Sequence, residues 1–314
     1  MAESTSKMAE NSPPQDYLEV IEKAATKVKT LLAANEKLTK PRVMIICGSG
    51  LGGIADVLHP DDKIEIAYSE IPGFKVSTVP GHAGKLIFGL IGFNKVPVMC
   101  MVGRLHFYEG YTFQETTLPV RLAKKLDVTT VVVTNAAGGV NPVFKPGDLM
   151  LIDDHINFPG LAGYHPLRGP NLAEFGPRFQ PLSDAYDFDL RKLFYTKAKK
   201  DLGIVRNIHE GTYFFAAGPT FESRAEVRMI RSMGGDAVGM STVPEVIVAR
   251  HSGLKVLALS LITNAGVGEK PPSALTEDPK PLDDGMASHE EVLEAANEAS
   301  KDVQKIIEAT INEL

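Results

Sequence analysis

Cysteine is nearly absent. Two occur in 314 residues, and Cys47 and Cys100 each end an apolar run, VMIIC and VPVMC. So few, so placed, exclude a disulfide-stapled scaffold and fit reduced, buried thiols in a cytoplasmic protein. An excess of basic charge is also missing. With 39 acidic and 33 basic residues the formal net charge is -6, so no general attraction to nucleic acid is expected. No uninterrupted apolar stretch is long enough to span a bilayer, and the opening MAESTSKMAENSPPQ lacks the apolar centre of a secretory signal. Membrane partners are therefore not expected either. Internal repeats are lacking too. What remains is ordinary globular composition, 44% hydrophobic and 23% charged, able to bury a sizeable core. The expected organisation is a disordered leader over 1–15 and one domain over 16–314.

Apolar positions at Leu18, Ile21, Ala25, Val28 and Leu32 mark a first helix. Beyond it, short β-rich runs alternate with amphipathic segments. Strands are expected at Val43–Cys47, Lys85–Ile91, Val96–Val102, Thr129–Thr134, Asp148–Ile152, Gly211–Ala216, Ala237–Gly239 and Lys255–Ile262. Several are apolar throughout, as strands buried on both faces are. Helices are expected at Thr117–Leu126, Asp187–Asp201, Ser223–Met233, Thr242–His251 and from Ser288 to the end. Thr242-Val-Pro-Glu245 and Ser288-His-Glu-Glu291 both have capping-box spacing, and Gly253 offers a stop. The alternation predicts an α/β domain. The most loop-like stretch, Gly266–Gly285, is rich in proline, glycine and acid, and reads as a lid or a solvated insertion.

Chemistry-bearing residues gather where these strands end. Cys47-Gly-Ser-Gly-Leu-Gly-Gly53 brings backbone amides and the Ser49 hydroxyl to a place an anion can approach. Gly48, Gly50 and Gly53 also spell G-x-G-x-x-G, which keeps a dinucleotide-dependent oxidoreductase in play, with Glu65 or Glu70 as its ribose-binding acid. Val79-Pro-Gly-His82 sets a histidine in a turn. Arg104, His106, Tyr108 and Glu109 crowd the end of one apolar strand, and Arg104 and His106, two apart on extended chain, face one side. Two such donors suit a phosphate. A metal held by His82, His106 or His155 lacks any close ligand spacing. Thr134-Asn-Ala-Ala-Gly-Gly139 is small enough to turn backbone amides toward a ligand, though alone it is only a turn. Ser241 precedes a helix N-terminus, as an anion ligand or simply as a cap. Phe221 and Glu222 offer a ring and a carboxylate that a purine could use. Asn264 ends the last buried strand.

Taken together, ICGSGLGG, VPGHAG, GRLHFYEGY, TNAAGG, GPTFES, GMSTVPEVIVARH and SLITN resemble the trimeric purine nucleoside phosphorylases, in order from Val43 to Asn264 and again at SHEEVLEAA. The dinucleotide reading explains one of these blocks and leaves six unexplained. The resemblance implies a mixed, partly barrel-like central sheet surrounded by helices, a homotrimer, and no metal or organic cofactor. It implies a phosphate site of Ser49, His82, Arg104, His106, the Ala136 amide and Ser241. Tyr108, Met240 and His289 would hold the ribose, with Phe179 lent to the neighbouring subunit's site. Phe221, Glu222 and Asn264 would meet the base. His106, Glu222 and Asn264 would then carry the chemistry: phosphorolysis of inosine, guanosine and their 2′-deoxy forms in purine salvage. The close rival is methylthioadenosine phosphorylase. Asn264 and His289 speak against it, an amide suiting 6-oxopurines and a histidine a free 5′-hydroxyl.

Overall fold

A strand with no polar side must be covered on both sides, and VMIIC is. It forms β1 (Val43–Cys47), where Met44 and Ile46 join one buried cluster and Val43, Ile45 and Cys47 another. The computed structural model describes residues 17–79, 83–275 and 289–314. Eight further strands are β2 (Leu58–Ala67), β3 (Lys85–Ile91), β4 (Val96–Val102), β5 (Thr130–Gly139), β6 (Leu149–Asn157), β7 (Ile208–Phe215), β8 (Ala237–Gly239) and β9 (Lys255–Ala265). The helices are α1 (Tyr17–Leu32), α2 (Phe113–Lys125), the short α3 (Phe158–Leu161), α4 (Phe188–Thr196), α5 (Arg224–Ser232), α6 (Val243–His251) and α7 (His289–Ile311).

The strands make one sheet in the order β2-β3-β4-β1-β5-β8-β7-β6-β9, and β9 pairs back onto β5. That last pairing closes β5, β8, β7, β6 and β9 into a ring, while β2, β3, β4 and β1 extend from it as an open wing. The sheet is mixed, with β1 parallel to both β4 and β5, β5 parallel to β9, and β8 antiparallel to β5. The partly barrel-like α/β fold is thus present. Because β4, β1, β5 and β9 run parallel, their carboxyl ends emerge together. Helices α1, α2 and α6 cover one face through residues such as Val28, Val120 and Val246, and α7 covers the other through Ala299, Val303 and Ile306.

Several boundaries differ from expectation for physical reasons. TNAAGG is no turn but the second half of β5, with Ala136 opposite Leu261 of β9. Strand β2 lacks a predictive pattern because it is the charged edge strand, LHPDDKIEIA, with irregular pairing to β3 between Leu58 and Lys63. Helix α2 begins at Phe113 rather than Thr117. Thr112 caps it by accepting from Glu115 N at 3.2 Å, and the internal Pro119 obscured the start. In α1 the core stripe takes Tyr17, whose hydroxyl donates to Gln114 O at 2.8 Å, while Leu18 faces outward. In α7, Ala296, Ala299, Val303 and Ile306 form the core stripe. The segment expected as the second half of α4 continues from it without a break, wound as a π-type turn over Lys197–Asp201. The leader 1–15 and the box at Ser288 lie outside the described residues.

Ile45 is wholly buried at the centre of the sheet, between β4 and β5. Ile45→Ala is expected to destabilise the fold by about 2–5 kcal/mol, read as a lowered urea midpoint at unchanged slope.

Candidate active site

Strand ends, not helices, bring the polar residues together. After β1 the chain turns at Gly48, whose amide donates to Thr134 Oγ1 at 2.9 Å, while that hydroxyl donates to Ile46 O at 3.0 Å. A Cβ on Gly48 would lie 2.7 Å from both Asn135 Cα and Thr134 O, so only glycine lets β1's exit press against β5. Ser49 and Ala136 both line a pocket of about 280 Å³.

Arg104 follows β4 and is 1% exposed. Its Nη1 donates to Ser241 Oγ at 2.7 Å and Thr242 Oγ1 at 3.0 Å, its Nη2 donates to Thr134 O, and its Nε lies 3.6 Å from Glu245 Oε1. A buried guanidinium needs this density of acceptors and a counter-charge. Thr242 meets the demand from an unusual backbone, φ 76° and ψ -57°, with Val243 N donating to Ser241 O at 2.8 Å. This is the rare, strained γ-turn with positive φ, here on a β-branched residue. Asn135 Nδ2 adds a 2.8 Å bond to the same hydroxyl. The expected capping box at Thr242 therefore does not form. Its hydroxyl and the Glu245 carboxylate are both committed to Arg104. Gly253, with φ 71°, does follow the helix end.

His106 is held from behind. Glu109 Oε1 accepts from His106 N at 2.7 Å and lies 3.2 Å from Nδ1. Glu109 Oε2 accepts from Thr78 N at 2.6 Å, Thr78 Oγ1 at 2.9 Å and Ser77 Oγ at 3.1 Å. Burial pushes the Glu109 carboxyl up, but these hydrogen bonds outweigh it and hold it down at about 2. An ionised carboxylate only accepts, so Nδ1 carries the ring proton. Tyr108 stacks on His106 with centroids 4.7 Å apart, and burial raises its phenol to about 12, keeping it protonated.

The ring of strands supplies further lining residues. Phe221 and Glu222 follow β7, Met240 follows β8, and Asn264 lies in β9. Burial raises the Glu222 carboxyl above its usual range. The Thr263 hydroxyl donates to Asn264 Oδ1 at 3.1 Å, which orients the amide. Val292, in the first turn of α7, also lines the cavity.

The structure thus brings Ser49, Arg104, His106, Tyr108, Ala136, Phe221, Glu222, Met240, Ser241 and Asn264 to one cavity. Phe179 is not there. It stands on a surface loop, 87% exposed. His82 and the His289 side chain lie outside the described residues. Asn135, Thr242 and Glu245 were not singled out from sequence as site residues. Their work, holding Arg104, depends on chain segments far apart in sequence, and only the TNAAGG and TVPE motifs hinted at it. The dinucleotide reading fails on geometry. The glycines after β1 open a short 3₁₀ turn, Gly52–Val57, which runs into antiparallel β2 where that fingerprint needs a helix. Glu65 is paired with Lys85 at 2.7 Å, and Glu70 accepts from Ala67 N at 3.1 Å. His155, weighed as a metal ligand, lies 2.9 Å from the Tyr186 hydroxyl.

The family model described as the phosphorylase superfamily matches residues 42–312, which takes in every strand and the whole pocket. The chain belongs to the phosphorylase superfamily. Within it, the purine nucleoside phosphorylase of Saccharomyces cerevisiae is 57% identical over 303 residues, covering 94% of this chain and 96% of that one. That of Bos taurus is 50% identical over 279 residues, covering 89% and 90%. A crystal structure of Schistosoma mansoni purine nucleoside phosphorylase in complex with adenosine is 41% identical with a TM-score of 0.82, covering 95% of this chain and 98% of that one. A second schistosome structure, in complex with hypoxanthine, is 40% identical with the same TM-score of 0.82 and the same coverage, 95% and 98%.

The depressed Glu109 carboxyl makes a prediction for this superfamily member. A carboxylate whose folded value lies below its unfolded value stabilises the fold above the unfolded value and ceases to do so as pH falls through the folded one. Wild type is therefore expected to exceed Glu109→Gln in stability most above pH 4.5, the difference shrinking toward pH about 2. Urea midpoints of both proteins, stepped down in pH, check this.

Proposed function

We propose that this chain cleaves 6-oxopurine nucleosides, inosine, guanosine and their 2′-deoxy forms, with inorganic phosphate, yielding free base and (deoxy)ribose 1-phosphate in cytoplasmic purine salvage. The observation that carries the reading is the polarity of one cavity. Arg104, Ser241, Ser49 and His106 line it together with Glu222 and Asn264, and Tyr108 and Met240 are among its walls. A buried cation with hydroxyls beside it suits an anion. A carboxylate and an amide near an aromatic ring suit a base with N–H donors.

Breaking an N-glycosidic bond builds positive charge on the sugar and negative charge on the leaving purine. The residues must favour that separated state over the ground state. Phosphate held by Arg104, Ser49, Ser241, His82, His106 and the Ala136 amide attacks C1′, and its own charge stabilises the cationic sugar beside it. Burial of Arg104 strengthens that electrostatic field. As negative charge builds on the leaving purine, N7 takes a proton from solvent water; Asn264 Oδ1 accepts the hydrogen bond from that N7–H and its Nδ2 donates to O6, while Glu222 accepts from N1–H. Tyr108, Met240 and His289 hold the ribose. The exposed Phe179 completes the ribose site of a neighbouring subunit in a homotrimer. No residue need form a covalent intermediate, and no metal or organic cofactor enters these steps.

Inosine cleavage is expected to require phosphate, and Arg104→Ala to lower kcat/KM for phosphate on the order of a hundredfold or more. Equal rates of hypoxanthine release in phosphate-free buffer would mark a hydrolase instead. Glu222 and Asn264 carry a second prediction. Adenosine offers a bare N1 and a donating amino group, so both Glu222 and Asn264 meet it with the wrong polarity. Because the schistosome relatives were solved with adenosine and with hypoxanthine, the discriminating quantity is the ratio of kcat/KM for inosine and adenosine. It is expected to be on the order of ten thousand, as for other buried polar mismatches, and to narrow in Asn264→Asp. Parity in wild type would overturn both assignments, and an unchanged ratio in the variant would remove that of Asn264.

A further inference from the structure

We propose that His251 is a positioning residue, a neutral ring with its proton on Nε2 that pins the loop presenting Phe179. It deepens the reading above and rests on Phe179 serving a neighbour's ribose site. His251 closes α6, the helix whose other end adjoins Ser241, and it is 2% exposed. Arg121 Nη1 of α2 lies 2.9 Å from its Nδ1. A guanidinium can only donate, so Nδ1 accepts and the proton sits on Nε2. Nε2 lies 3.1 Å from Asn171 Oδ1 and 3.1 Å from Pro177 O, both acceptors on the loop between α3 and α4. Burial, with the Arg121 charge second, lowers the imidazole to about 4, which keeps it neutral at physiological pH.

Independent contacts press the same loop onto the same spot. A Cβ on Gly176 would lie 2.0 Å from His251 O, an approach open only to glycine. Phe175 is buried beneath the Arg121 guanidinium, 4.6 Å from its ring centre. Asn171 Nδ2 donates to Gly176 O at 3.0 Å, and Arg178 Nη1 donates to Gly169 O at 2.7 Å. The loop is thus tied at Asn171, Phe175, Gly176 and Pro177, two residues before an aromatic ring that is 87% exposed. The cavity beside His251 holds only about 20 Å³, too little for a substrate, so the cluster positions rather than binds. An exposed ring on an irregular loop would otherwise have to be ordered each time it docked, at a cost in affinity.

The test measures KM for inosine and for phosphate, with sedimentation, on the full chain and on His251→Ala, His251→Gln, Phe179→Ala and the double alanine variant. His251→Ala is expected to raise KM for inosine roughly five- to tenfold, the scale of losing a buried hydrogen bond, with KM for phosphate within about twofold. His251→Gln, whose amide N–H can reach the Nε2 position, should recover most of the loss. In a Phe179→Ala background the His251 change should add nothing. An equal rise in both KM values, or an undiminished effect without Phe179, would overturn the pinning role. If Phe179→Ala leaves KM for inosine unchanged, the neighbour-site reading falls and this proposal with it. If Phe179→Ala raises it and His251→Ala does not, only the pinning falls. Should His251→Ala fail to fold, Asn171→Ala removes one acceptor and is read against the same outcomes.

Discussion

A guanidinium that is 1% exposed is the constraint around which this molecule is arranged. Left unpaired at that depth it would be strongly destabilising. Its partners come from three separate places in the fold: the Thr134 carbonyl within β5, Ser241 and Thr242 after β8, and Glu245 in the first turn of α6. To satisfy it, the chain accepts a γ-turn at Thr242 with φ 76°. Strain of that kind persists only where surrounding contacts over-determine it. The bonds from Arg104 and Asn135 to the Thr242 hydroxyl supply that determination.

The sheet makes such convergence available. Strand β5 of the closed ring pairs with β1 and so joins the open wing to it, and the cavity is lined by its small-residue end, Ala136 to Gly138. Residues after the wing strands and at the start of α6 contribute Ser49, Arg104, His106 and Ser241 to the cavity, and the ring contributes Phe221, Glu222 and Asn264. A buried cation and an acid–amide pair therefore line one cavity. Glu109 performs for His106 what Glu245 performs for Arg104: a carboxylate behind the site fixes a donor in front of it. Helix α6 extends the same economy outward, with Thr242 at one end and the Asn171–Pro177 loop held at the other.

Much of this was legible in the chain because it is local. Five residues without a polar side, Val43 to Cys47, can only be a strand covered on both faces. The polar residues after each apolar run mark strand ends, and seven ordered blocks match a known family closely enough to place most of the cavity wall. Local signals failed where two uses competed for one residue. Thr242 and Glu245 have the spacing of a helix cap, yet a buried cation just past β4, 138 residues before Thr242, takes both, because an unpaired charge outweighs a missing cap.

The sequence by itself determined the buried strands, most of the helices, the family and the list of polar groups at the strand ends, since burial periodicity and short motifs are properties of neighbouring residues. Tertiary structure alone decided that β9 returns to β5 to close a ring, that the charged β2 lies at the sheet's edge, that TNAAGG continues a strand, and that His251 grips Asn171 and Pro177. Each of these is a pairing between distant segments. Hydrogen-bond partners and counter-charges are chosen by what the folded backbone brings within about 3 Å, and no local pattern encodes that choice.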